Sequence, residues 1–123
     1  MEATPQNSID GTWQLVRAEL NGEIAHELLT ANTVLELKSG TYTVRYADEV
    51  TDRGAFELGD TPQNQSITLK GTEGGNAGRT IPCIYQRVGN RLRICCGLKA
   101  VRPTEFSTAP AQERYLASYQ RKP

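Results

Sequence analysis

Apolar and polar residues alternate along most of this chain, in short runs broken by Gly, Asn, Asp and Pro. A period of two puts successive side chains on opposite faces, the pattern of half-buried strands. Trp13 to Leu20 reads as the first strand, ended by the turn pair Asn21-Gly22. In Glu23 to Thr30, Ile24, Leu28 and Leu29 fall near helical spacing, so one short helix is expected there. Strands follow at Thr33 to Lys38 and, after Ser39-Gly40, at Thr41 to Tyr46. Ala47-Asp48-Glu49 reads as a polar loop, and Arg53 to Leu58 as a strand stopped by Gly59-Asp60-Thr61-Pro62. Ser66 to Lys70 is a fifth strand, and the glycine-rich Gly71 to Gly78 reads as a mobile or irregular loop. Arg79 to Val88 and Arg91 to Cys96 flank the two-residue turn Gly89-Asn90. A long connection, Gly97 to Gln112, precedes the last strand, Arg114 to Arg121.

Strands that follow one another at hairpin distance favour an all-β, eight-stranded antiparallel up-and-down barrel with one short helix near its mouth. A sandwich would suit the alternation equally but needs longer crossing connections, and only Gly97 to Gln112 is long enough. The organisation expected is a flexible leader over residues 1–9 and a single domain over 10–123. An eight-stranded barrel is wide enough to be filled by side chains or to hold one small ligand.

The residues of interest are polar ones that alternation sends inward. With Trp13 and Leu15 facing the interior, a regular strand carries Arg17 inward too. Tyr42 and Tyr46 share a face with Val44, Tyr85 shares one with Cys83 and Arg87, and Tyr115 and Tyr119 share one with Arg121. An isolated buried charge is costly, so an inward Arg17 needs a partner. A ligand carboxylate or phosphate would serve through bidentate hydrogen bonds. The structural alternative is that Arg17 pairs with Glu19 or Glu57, or stands outside in water. The ligand-binding set is therefore Arg17, Tyr42, Tyr46, Tyr85, Arg87 and Tyr115.

Several pieces together resemble a known family: Gly11-Thr12-Trp13, Asn21-Gly22, Tyr42-Thr43-Val44, Ile84-Tyr85, Leu92-Arg93-Ile94-Cys95 and Arg102-Pro103-Thr104-Glu105-Phe106-Ser107. Gly11-x-Trp13 is similar to the Gly-x-Trp that opens lipocalin barrels. The chain as a whole, Asp10 to Arg121, resembles the small lipocalin-like domain family best known from planctomycetes, whose members are largely uncharacterised. The resemblance implies a bacterial lipocalin-like barrel and no particular reaction. It also implies that a late basic residue packs over the first-strand Trp to close the barrel end. Arg121 is the nearest match, with Lys122 one register step away.

Composition narrows the function further. Fourteen basic residues balance fourteen acidic ones, so no net field gathers nucleic acid. No apolar run approaches the ~18 residues of a spanning helix. The polar Met1 to Ser8 has no apolar signal core, which suggests a cytoplasmic protein, with an exported form lacking its leader as the alternative. Three cysteines, an odd count, favour reduced thiols, with one bridge to Cys83 as the alternative. Adjacent Cys95 and Cys96 face opposite sides and should not bridge. One histidine, His26, and no Cys-x-x-Cys spacing leave too few ligands for a zinc site. No metal, cofactor or catalytic residue is expected. The expected function is non-enzymatic binding of a small, largely apolar or amphipathic ligand that carries an acidic group if Arg17 is its anchor. The alternative is a filled barrel that meets a protein partner through its loops or a sheet edge.

Overall fold

A computed structural model describes residues 9–122; the rest of the expected leader, residues 1–8, lies outside the described residues. In order the elements are β1 (Gly11–Leu20), β2 (Glu23–Ile24), α1 (Glu27–Asn32), β3 (Thr33–Lys38), β4 (Thr41–Tyr46), β5 (Glu49–Asp60), β6 (Gln65–Gly74), β7 (Thr80–Val88), β8 (Arg91–Gly97) and β9 (Arg114–Arg121). From β3 onward each strand pairs antiparallel with the next, and β1 pairs with both β3 and β9. The described residues thus form one closed eight-stranded antiparallel barrel with one short helix. The two-residue β2 merely extends the edge of β1 through Glu19↔Ile24.

Closure happens at Trp13. Its indole is fully buried, and Nε1 donates to the Ile9 carbonyl at 2.9 Å. Opposite it in register stands Arg121, whose guanidinium carbon lies 4.4 Å from the centre of the Trp13 ring. Nη1 of Arg121 also donates to the Asp10 carbonyl, 2.8 Å away. Gly11 is required for this approach, because its φ is +148° and a Cβ there would collide with the Arg121 guanidinium. Ile9, the last residue of the expected leader, is itself buried in the core.

Turn chemistry explains most boundaries. Asn21 and Gly22 both have positive φ, 51° and 88°, as a two-residue hairpin turn demands. Ala47 and Asp48 do the same at 51° and 71°. The expected loop at 47–49 is therefore a tight turn, and β5 begins at Glu49, earlier than the expected Arg53. The expected helix at 23–30 is shifted. Ile24 is drawn into pairing with β1, and His26 Nδ1 accepts from the Leu28 amide at 3.1 Å, starting α1 at Glu27. Gln14 Nε2 reaches across from β1 to the Thr30 carbonyl at 2.8 Å and fastens the helix at the mouth.

The glycine-rich stretch is also more ordered than expected: β6 continues to Gly74, and the turn occupies only residues 75–78. Gly54 and Gly71 face each other where β5 and β6 bend together, and a Cβ on Gly54 would come within 2.7 Å of the Tyr42 ring. These glycines serve close backbone approach, not mobility.

The long connection after β8 folds back over the outside of the wall. Arg102 holds it there, donating to the Cys83 carbonyl at 2.6 Å and to Thr68 Oγ1 at 2.9 Å. Phe106 stacks under the Arg93 guanidinium at 3.9 Å. Pro103, Ile84 and Cys95 are buried as a result. Strands β7 and β8 are therefore covered on both faces, which accounts for their near-continuous apolar runs.

Trp13→Ala should cost roughly 3–5 kcal/mol through lost burial and an unfilled cavity. Arg121→Ala, which removes the cation–π contact and the hydrogen bond to the Asp10 carbonyl but keeps the buried indole, should cost about 1–2 kcal/mol. Urea denaturation of both variants checks the order; equal losses would show that the ring contact and the packing are not separable.

Candidate functional site

One end of the barrel is sealed by Trp13 and Arg121. Between this plug and the opposite end, where α1 and the 47–48 turn lie, the interior holds a cavity of about 130 Å³. Its walls are apolar, with Leu35, Leu37, Ile67, Leu69, Ile81 and Ile94 among them. Its polar groups are Tyr42, Asp52, Asn76, Cys96, Tyr115 and Tyr119. A void of this size suits a benzene-sized guest and is too small for a long acyl chain.

Arg17 is not in the cavity. Between Leu15↔Tyr119 and Arg17↔Ser118 the register slips by one, leaving Val16 as a bulge. A single inserted residue reverses every later side chain. Ala18 therefore faces in, while Arg17 faces out with its side chain 56% exposed, 3.6 Å from Glu19. This is the structural alternative weighed above. The sequence did carry a sign of the bulge. Apolar positions fall at 13 and 15, then at 16, 18 and 20, so the adjacent pair Leu15-Val16 marks a change of phase.

The other expected residues divide. Tyr42 and Tyr115 line the cavity. Tyr85 is buried on the inward face opposite Ile94, but it is not part of the lining. Arg87 lies one step closer to the sealed end, opposite Leu92, with Nη1 donating to the Gly89 carbonyl at 2.6 Å. Tyr46 is not part of the lining; it stands part-exposed in a separate groove with Leu29, Thr33, Val44 and Tyr115. Trp13 and Arg121 are at the sealed end, as described.

Asp52 was missed by the sequence reading. It lies opposite Val44 on the inward face, in phase with Gly54 and Phe56, and a second bulge follows at Thr51, between Val44↔Asp52 and Arg45↔Val50. The signal existed: Phe56 and Gly54 share a face, and stepping back by two places Asp52 on it. Starting the strand at Arg53 hid it. Asp52 is oriented by a chain of hydrogen bonds. Arg79 Nη1 donates to Asn76 Oδ1 at 3.1 Å, which turns the Asn76 amide so that Nδ2 donates to Asp52 Oδ2 at 2.7 Å. Asp52 Oδ1 and the Tyr42 hydroxyl are both buried with no hydrogen-bond partner among the described residues.

Tyr42, Tyr115, Tyr119, Cys83 and Cys95 are held neutral. Burial pushes Tyr42 up to about 12, helped by the nearby Asp52 carboxylate. Burial likewise pushes Tyr115 up to about 12 and Tyr119 well above its usual value. The Cys83 and Cys95 thiols are raised for the same reason. Cys83 and Cys96 stand opposite each other with their thiols in contact, whereas Cys95 points outward under the long connection. All three cysteines are free and buried. Among the described residues no group of three or more His, Cys, Asp or Glu is placed to hold a metal ion. No helix there is long and apolar enough to cross a membrane.

Because the folded chain keeps the protons of Tyr42 and Tyr115 up to about pH 12, while the unfolded chain loses them near 10, their neutrality supports the fold fully below pH 10. That support is lost as pH rises from 10 through 12. Ultraviolet titration of the native protein should show these tyrosines ionising late, with denaturant midpoints falling over the same window. A complete tyrosine titration near pH 10 with no loss of stability would contradict it. Compared with family models, curated proteins and solved structures, the chain matches none.

Proposed function

We propose that this protein binds a small, largely apolar ligand inside the barrel and carries out no chemistry on it. The observation that supports this reading is the apolar cavity of about 130 Å³ whose lining includes Tyr42 and Asp52, each with a buried polar atom, Oη and Oδ1, that has no hydrogen-bond partner among the described residues. Apolar walls supply affinity and a few fixed polar groups supply orientation, the ordinary composition of a small-molecule site. An unmade hydrogen bond on a buried polar group costs about 1–3 kcal/mol, and a ligand that completed it would recover that. The resemblance to lipocalin-like barrels is consistent with such a use. The acidic ligand expected from Arg17 loses its anchor, because Arg17 stands outside.

A protein partner is the second reading. Leu20, Ile24, Leu28 and Leu29 are all exposed within one short segment at the mouth. Apolar surface grouped in this way is more often found at contact sites than scattered single residues are. This segment could meet a partner whether or not the cavity is occupied.

Titration with benzene-sized probes, toluene and indole, followed by nuclear magnetic resonance, distinguishes the two. Binding should shift resonances of Ile94, Ala117 and Tyr119 and raise the melting temperature. Ala117→Leu, which fills the cavity from its wall, should abolish binding while the protein stays folded. Failure of every probe to bind the native protein would reject the cavity reading.

A further inference from the structure

The polar end of the cavity has a definite chemistry. Asp52 is the one acidic or basic side chain, tyrosines and the thiol aside, among the residues that line it. A carboxylate oxygen can only accept hydrogen bonds. Its Oδ2 is already engaged by Asn76, itself fixed by Arg79, so the carboxylate cannot swing away without breaking that chain. Oδ1 is left buried with nothing donating to it. Tyr42 is 1% exposed, lies on the same face one pairing step along, and also has an unpartnered hydroxyl. Its ring is held over Gly54, where any larger residue would displace it.

We infer that the cavity selects a small primary amine, one ammonium group on an aromatic or short aliphatic body, with the ammonium on Asp52 Oδ1 and Tyr42 Oη and the body among Leu35, Leu69 and Ile94. The inference rests on the binding function proposed above and names the class of ligand. An ammonium has three donors, enough for both acceptors. A ligand carboxylate would bring a second negative charge beside Asp52. A neutral alcohol offers one donor and no charge. The volume limits the body to about a benzene ring. The neighbouring aromatic rings of Tyr115 and Tyr119 suit a cation as well as an apolar body.

The test uses three probes of matched size at neutral pH: benzylamine, benzyl alcohol and benzoate. Each is titrated into the full chain and followed by nuclear magnetic resonance. Benzylamine should bind at least roughly tenfold more tightly than benzyl alcohol, the range expected of a charge-assisted hydrogen bond, and benzoate should bind weakest. Asp52→Asn should bring benzylamine down to the level of benzyl alcohol and leave benzyl alcohol within about twofold. Tyr42→Phe should weaken benzylamine more than benzyl alcohol. The wild-type ranking stands even if a variant fails to fold. Equal binding of the three probes, or preference for benzoate, overturns the amine assignment and leaves the cavity reading intact. A benzylamine preference that survives in folded Asp52→Asn overturns the role of Asp52. No binding by any of the three rejects both this inference and the cavity reading beneath it.

Discussion

The pairing of β1 with β9 is the contact on which everything else depends. It joins residues at opposite ends of the chain; Arg121 and the Asp10 carbonyl it reaches are 111 positions apart. Without it the sheet would have two open edges and no inside. With it, the inward face becomes a sealed volume with Trp13 as its plug. The indole supplies the buried area, Arg121 covers it, and Gly11 leaves room for both. Such a contact carries a large loop-closure cost and must be matched by dense local packing. That density is found at this end of the barrel, while the cavity lies toward the other.

Bulges decide which polar groups the sealed volume contains. At Val16 the extra residue turns Arg17 out to water beside Glu19. At Thr51 it turns Val50 away, while Asp52 keeps the inward phase of Gly54 and Phe56. The bulge in β1 thus removes an inward cation, and the charged group left facing the cavity is the Asp52 carboxylate. The energetic reason is direct. A guanidinium facing these apolar walls would lack a partner, whereas Asp52 has one carboxylate oxygen held by Asn76.

The Arg102 to Phe106 segment covers the barrel from outside. It lies against the outer surface of β6, β7 and β8, with Arg102 capping backbone and side-chain oxygens that would otherwise be left under it. This cover buries Cys95 and Ile84 on the outside while Cys83 and Tyr85 are buried on the inside.

The sequence by itself determined the all-β class, the closed up-and-down order, the turns at Asn21-Gly22 and Ser39-Gly40, and the inward set of Trp13, Tyr42 and Tyr115. These depend on local physics: alternation with period two, and residues that accept positive φ. Only the tertiary structure decided the directions of Arg17 and Val50, the order of the glycine-rich hairpin, and the two-sided burial of β7 and β8. Each of these depends on partners distant in the chain. A bulge is a mismatch between two strands, so its place is set by the neighbour as much as by the strand itself. Leu15-Val16 carried a trace of the bulge in β1, and the regular Asp52-x-Gly54-x-Phe56 spacing pointed Asp52 inward. Their meaning required β9 and β4 to be in register beside them.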